Sequence, residues 1–375
     1  MLEQTLLSLP IEKKIGQLFF IGIGGGELNE DSKQLLEEIS PGGVCLFARN
    51  IKTAEQTRLL LSDIRENSET DPFLSLDEEG GVVDRLRRIV TPLPATASIK
   101  TLEDAERLAE ITAEIIRTLG FNMNFAPVVD IVDSERAKFS NGLYSRAFGD
   151  SKETVVQLAG AYFKTLQNQN VIGCLKHFPG LGASAVDSHE ELPLVNISEK
   201  ELFETDLFPY RELFKTKKVA AVMIAHAAFP ETDLQEVDSN GKLLPSSLSY
   251  NFVTKLLRGH FDFDNLIITD DLEMGAIIKN YGIGEACKLA IKVGNDMLTV
   301  CAGEQNIRIG FNAILNAVKS SEISEKRIDE SLRRIARVKN SLPKNIPLNL
   351  ERLQFLSNEI ARLNERIESQ LLEDK

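Results

Sequence analysis

The stretch "GVCLFARNIKTAEQTRLLLSDIRENSETDPFLSLD", residues 43–77, decides the fold. It opens on a short apolar run, GVCLFA, and closes on another, FLSLD. Between them, TAEQTRLLLSDIREN returns an apolar residue every three or four positions, the period of a helix with one buried face. A strand, a helix and a second strand in this order predict a parallel pair of strands with a helix packed across it.

The same unit repeats in both directions along the chain. Strand-like runs occur at 18–23, 43–48, 73–77, 123–131, 173–178, 220–226, 266–270 and 296–302. Helical segments lie between them, among them DSKQLLEEI, LEDAERLAEITAEIIRTLG, SKETVVQLAGAYFKTLQNQ, EKELFETDLFPYRELFKT and IGEACKLAIKVG. Eight such alternations predict an α/β protein with a closed (β/α)8 TIM-type barrel. A doubly wound sheet would need fewer strands and a switch point, and no glycine fingerprint marks one. Residues 1–340 are assigned to this single catalytic domain. Residues 341–375 form a C-terminal helical extension, joined through a proline-bearing link at 343–347. Its Leu353, Leu356, Ile360, Leu363, Ile367 and Leu371 recur at alternating three- and four-residue steps. That stripe is expected to dock back on the barrel; the alternative is a homodimer zipped through this helix.

Composition excludes several classes of partner. With 375 residues, 43 % of them apolar, the chain can bury a large core. A formal net charge of -13 repels phosphate backbones and anionic headgroups, which argues against nucleic acid and membrane as partners. Cys45, Cys174, Cys287 and Cys301 are isolated and lack metal-ligand spacing, so they read as small buried hydrophobes in a reducing compartment. The N-terminal "MLEQTLLSLPIEKKIG" has no basic region leading into an apolar one, and no apolar run is long enough to span a bilayer. A cytoplasmic protein is expected.

Polar residues cluster where a barrel would do chemistry. Asp77, Asp130, Lys176, His177, His226 and Asp270 all stand at or near the carboxyl end of an expected strand. In a barrel those ends converge on one face. The loop "KHFPGLGASAVDSH", residues 176–189, holds two of the four histidines. Gly180 and Gly182 let the chain leave the strand, and Asp187 and His189 follow two positions apart. A carboxylate beside an imidazole fixes the tautomer and raises the basicity of the free nitrogen, which can then pass a proton near neutral pH. In "IITDDLEMGA", Asp271 is the natural cap for the helix that follows, leaving Asp270 on the barrel mouth as a nucleophile or electrostatic stabiliser. An acid on a loop and a carboxylate on a strand suit displacement at a sugar carbon.

The strings "LDEEGG", "NFAPVVDI", "SRAFGD", "KHFPGLG…DSH", "IAHAAFP", "PSSLS" and "ITDDLEM" together resemble glycoside hydrolase family 3. The D-x-H loop is similar to the bacterial β-N-acetylglucosaminidase (β-N-acetylhexosaminidase) branch that acts in peptidoglycan recycling. The resemblance covers most of the chain, from "IEKKIGQLFF" to "SEKRIDESLRRIARVK". It implies that Asp270 is the nucleophile, His189 the general acid/base and Asp187 its dyad partner. It further implies that Asp77, Arg85, Arg146, Lys176 and His177 hold the hydroxyls and acetamido group of the terminal sugar. His226 matches the strand-end histidine of the family's "AH" motif. The implied reaction is release of terminal N-acetylglucosamine from muropeptides or related β-linked glycans, with retention, by double displacement. No metal or organic cofactor is implied. Two positions depart from the family's pattern: Leu181 stands where a histidine is usual, and Val82 where an arginine is usual.

Other readings remain open on the sequence alone. A metal-dependent amidohydrolase would need an H-x-H pair on the first strand, which reads "LFFIGIGGG". An aldolase using Lys176 as a Schiff base would leave Asp270 and the Asp187–His189 pair without a task. A family 3 β-glucosidase and an inactive sugar-binding barrel are the alternatives within the resemblance.

Overall fold

The computed structural model describes residues 2–139, 142–185, 188, 191–342 and 344–373. Eight parallel strands close into one barrel: β1 (Phe19–Ile21), β2 (Gly43–Leu46), β3 (Phe73–Leu76), β4 (Met123–Asn124), β5 (Ile172–Phe178), β6 (Ala221–Ile224), β7 (Leu266–Asp271) and β8 (Met297–Val300). Each strand pairs with its neighbours in chain order, and β1 closes the ring on β8 with Phe19 opposite Leu298. All eight expected strands are present, and helices wrap the outside.

Local chemistry sets the helix starts. Thr53, Thr101, Ser151 and Ser324 each accept the amide three residues on, at 3.1–3.2 Å, ahead of the helices Ala54–Glu66, Leu102–Leu119, Lys152–Asn168 and Glu325–Lys339. Every residue of β1–β6 and β8 is buried, as expected of strands covered on both faces. Inside the barrel, Phe20 of β1 lies across Gly43 of β2 to reach Phe73 of β3, with ring centroids 5.7 Å apart, and meets Phe125 edge-on at 5.3 Å. A Cβ on Gly43 would fall 2.3 Å from the Phe20 ring.

One strand is shorter than its apolar run suggests. The run at 123–131 gives only the two residues of β4, because Pro127 has no N–H for the ladder. Contact with β5 continues through carbonyls, Ala126 and Pro127 accepting the Cys174 and Lys176 amides at 3.0 and 3.3 Å, and the Val129 amide then donates to the Lys176 carbonyl at 2.8 Å. This offset carries Asp130 past the strand end and under the loop that follows β5.

The helix Leu350–Glu373 lies along the outer helix Leu102–Leu119 of the same chain. Leu353, Leu356, Ile360, Leu363 and Ile367 are buried there, so the stripe is covered by its own barrel. Ion pairs flank it: Arg107 to Glu359 at 2.6 Å, Arg366 to Glu103 at 2.7 Å and Arg352 to Glu114 at 2.7 Å. No helix among the described residues is long and apolar enough to cross a membrane.

Candidate active site

The carboxyl ends of the strands surround a cavity of about 400 Å³, within the size range of small-molecule sites. Asp77, Arg85, Arg146, Lys176, His177 and Asp270 all line it. They come from distant parts of the chain and are brought together by the closure of the barrel. Phe47, Leu181, Met223 and Met274 supply its apolar wall.

One side is built on the acidic run at 77–79. Backbone leaving a strand alternates its side chains. Asp77 and Glu79 therefore line the cavity, and Glu78 turns behind it. Lys176, at the end of β5, is buried between both carboxylates, 2.8 Å from Asp77 Oδ1 and 2.6 Å from Glu79 Oε1. Arg146 grips Glu79 with two parallel bonds, Nε to Oε2 at 2.8 Å and Nη2 to Oε1 at 3.0 Å. Burial opposes the Glu79 charge, but Arg146 and Lys176 override it and hold this carboxyl well below the usual range. Burial likewise works against the Lys176 ammonium, and Asp77 and Glu79 keep its pKa raised. Arg85 lies 3.8 Å from Asp77 and has a free run to the cavity. Glu79 is the member of this cluster that motif reading missed. Its signal was the period-two alternation, which places positions 77 and 79 on one face.

His177 is held from behind. Its Nδ1 lies 2.7 Å from Asp130 Oδ2, and Asp130 Oδ1 accepts the Leu181 amide at 2.6 Å. Asp130 thus does not enter the cavity; it ties the His177 ring to the start of the loop after β5. Leu181 is buried, packs into the cavity wall and keeps that amide bond, while Val82 is exposed.

Asp270 stands across the cavity, near the end of β7. Its Oδ1 accepts the Asp271 amide at 2.8 Å. Burial disfavours the Asp270 charge, yet the His177 and His226 rings, the Asp271 amide and Lys176 outweigh it and keep the carboxyl below its ordinary value. An ionised carboxylate with one oxygen uncommitted is the form that attacks carbon. His226 is fully buried behind it, with Nδ1 2.7 Å from Ser247 Oγ and Nε2 3.1 Å from the Asp271 carbonyl. Burial pushes the His226 imidazole down. His226 supports the wall of the cavity and does not line it.

Asp271 does not cap a helix as expected. Its Oδ1 accepts the Glu273 amide at 3.0 Å, an Asx-type turn, and the helix Gly275–Tyr281 starts at Met274 with no side-chain cap. A strand running into a tight turn uses the carboxylate before any helix begins. Burial pushes the Asp271 carboxyl up to about 7. Asp187 and His189 lie outside the described residues. Ser188 between them is buried, lines the cavity and accepts the Ala276 amide through its carbonyl at 3.2 Å. The chain between Asp187 and His189 therefore meets the cavity wall beside the turn that follows Asp270.

Comparison with known proteins agrees with this architecture. The family model for the glycosyl hydrolase family 3 N-terminal domain matches residues 10–338. A beta-hexosaminidase of Tolumonas auensis is 33 % identical over 310 residues, covering 81 % of this chain and 87 % of the relative. A beta-hexosaminidase of Pseudomonas aeruginosa is 33 % identical over 301 residues, covering 78 % of this chain and 85 % of the relative. Among solved structures, a glycoside hydrolase family 3 beta-N-acetylglucosaminidase from Paenibacillus superposes with a TM-score of 0.85 at 32 % identity, covering 95 % of this chain and 69 % of the other.

Proposed function

The chain belongs to glycosyl hydrolase family 3, and from that membership we propose that this glycoside hydrolase is a retaining exo-β-N-acetylglucosaminidase. Its substrates would be terminal N-acetylglucosaminides, muropeptides or related β-linked glycans, and residues 1–340 would carry the activity with 341–375 as an appendage. The observation that supports this reading best is Asp270, an ionised carboxylate facing a sugar-sized cavity whose opposite wall is a fixed array of charges.

In this reading Asp77, Arg85, Arg146, Lys176 and His177 bind and orient the terminal sugar. Asp77 accepts hydroxyl protons, and Lys176 and Arg85 donate to hydroxyl oxygens. The array is tied together before substrate arrives, so little reorganisation opposes binding. Asp270 then attacks the anomeric carbon through Oδ2, since Oδ1 is engaged by the Asp271 amide. As the glycosidic bond breaks, His189 gives its proton to the leaving oxygen. A glycosyl ester on Asp270 and a neutral imidazole result. His189 next takes a proton from water, the water oxygen attacks the same carbon, and Asp270 leaves as carboxylate. Asp187 holds the His189 tautomer through both steps. Two inversions at one carbon give net retention.

Trapping tests the whole assignment. A 5-fluoro N-acetylglucosaminyl donor should leave a glycosyl label on Asp270, read by peptide mass spectrometry. A label on another carboxylate would overturn the nucleophile. Faster turnover of a chromogenic glucoside than of the N-acetylglucosaminide would favour a β-glucosidase instead. No turnover of either would leave a sugar-binding barrel.

A further inference from the structure

Behind the substrate cluster sits a second pair of acids that the mechanism above does not use. Glu78 is fully buried, and Asp84 nearly so. Glu78 Oε2 accepts the Arg85 amide at 2.8 Å and the Leu86 amide at 3.1 Å. Asp84 Oδ1 accepts the same Leu86 amide at 2.9 Å, and its Oδ2 accepts the Leu93 amide at 3.0 Å. Two carboxyl oxygens from different residues therefore converge on one N–H. The two side chains also meet directly. Glu78 Oε1 is buried and, among the described residues, has no donor facing it.

Among the described residues, the surroundings offer no compensating charge. Arg85 turns its guanidinium toward Asp77, and Arg146 is committed to Glu79. Arg87 donates to the Asp84 backbone carbonyl at 2.9 Å, not to its carboxyl. From β4, Asn124 bonds only the Glu78 backbone, at 2.9 and 2.8 Å. From the helix Lys152–Asn168, the nearby titratable group is Tyr162, a buried phenol whose pKa burial pushes well up, so it stays neutral. Two buried carboxylates side by side without a cation repel strongly. One proton between them removes the repulsion and also gives the orphaned side of the pair a donor.

We propose that Glu78 and Asp84 share a single proton, and that this proton holds the 84–93 loop so that Arg85 is aimed into the sugar cavity. Glu78 is thus a positioning residue acting through Arg85. When the proton leaves, the two carboxylates separate. Glu78 then loses its hold on the Arg85 and Leu86 amides, and the Arg85 side chain drifts from the cavity. Burial, with Asp84 beside it, pushes the Glu78 carboxyl well above the usual range, so the proton persists at neutral pH. The consequence is an alkaline loss of substrate affinity, which shows apart from the loss of the His189 proton on activated aryl glycosides, whose leaving groups need that proton least.

This inference rests on the reading of the cavity as a sugar site, and the test separates the two. Infrared spectra need no substrate: the wild type at neutral pH should show a protonated-carboxyl stretch that Glu78→Gln lacks. Identical spectra for the two proteins would overturn the shared proton. Kinetics on the chromogenic N-acetylglucosaminide should show KM climbing about tenfold per pH unit in the alkaline range, with kcat nearly level. Glu78→Gln keeps an oxygen for both amides and gives Asp84 a permanent N–H donor, so it should bind substrate at neutral pH and flatten that climb. An alkaline climb retained in Glu78→Gln would sink the positioning role. Should Glu78→Gln fail to fold, the wild type alone carries the test: its protonated-carboxyl band should fade over the same alkaline range in which KM climbs, and a band that persists through the climb would sink the proposal. Inactivity of the wild type would count against the function, while the infrared band would still decide the pair.

Discussion

Replacing Glu79 with glutamine tests the charge cluster most directly. The carboxylate is almost fully buried and neutralises two cations, the partly buried Arg146 through two bonds and the buried Lys176 at 2.6 Å. Removing one partner of a buried pair costs about 3–5 kcal/mol, because the charge left behind is uncompensated. Lys176 keeps Asp77 at 2.8 Å, so Arg146 alone is stranded; Glu79 is its only ion-pair partner among the described residues. The loss should therefore lie near the low end, about 3 kcal/mol. Urea unfolding at pH 7 measures it, as a lower midpoint at unchanged slope. The pH dependence has a fixed sign. Glu79 is held well below its ordinary value, so its contribution is complete above the unfolded value of about 4.3 and fades as pH falls toward the folded one. The gap between wild type and Glu79→Gln should thus shrink in acid. Adding Arg146→Met to the variant should restore part of the loss, since the stranded charge goes with it. A cost under about 1 kcal/mol at pH 7, or no recovery in the double variant, would refute the account.

Three further outcomes are expected. His189→Ala should lose more activity on substrates with poor leaving groups than on activated aryl glycosides; equal losses would argue against proton donation. Gly22→Ala should open the seam between β1 and β8, because its Cβ would fall 2.1 Å from the Cys301 carbonyl oxygen. A cost of about 1–3 kcal/mol is expected in thermal or urea unfolding, and a neutral result would contradict that close approach. Ile360→Ala removes a fully buried side chain from the C-terminal helix and should cost about 2–5 kcal/mol, unless that helix frays first. Hydrogen exchange over residues 350–373 distinguishes these, and protection equal to wild type would speak against docking.

The barrel was legible because each strand is a short apolar run bounded by helices of clear period, and burial on both faces forces that pattern. Residues 123–131 misled, since an apolar run does not say where a missing N–H, here at Pro127, ends the regular ladder. Asp271 was misplaced for a related reason: a carboxylate before a helix can serve either a cap or the tight turn that precedes it. The strand-end polar residues did converge as expected, although Asp130 and His226 support the cavity from behind. Nothing in the spacing of "DEE" says which acid faces a lysine, which faces an arginine and which is buried with a second acid. Those roles depend on Arg146, Lys176 and Asp84, whose positions the barrel closure and the loop decide. Asp187 and His189 were read from their motif, and they fall outside the described residues.

Asp77, Lys176, Glu79 and Arg146 form one continuous line of opposite charges, each link relying on the next. Such a line is epistatic. A change of charge at any one position alters what its neighbours tolerate, so single replacements along it are penalised even where a paired replacement would be accepted. Drift in substrate preference among relatives of this chain should accordingly enter through the apolar wall, at sites such as Leu181 and Phe47, where substitutions are independent of that line.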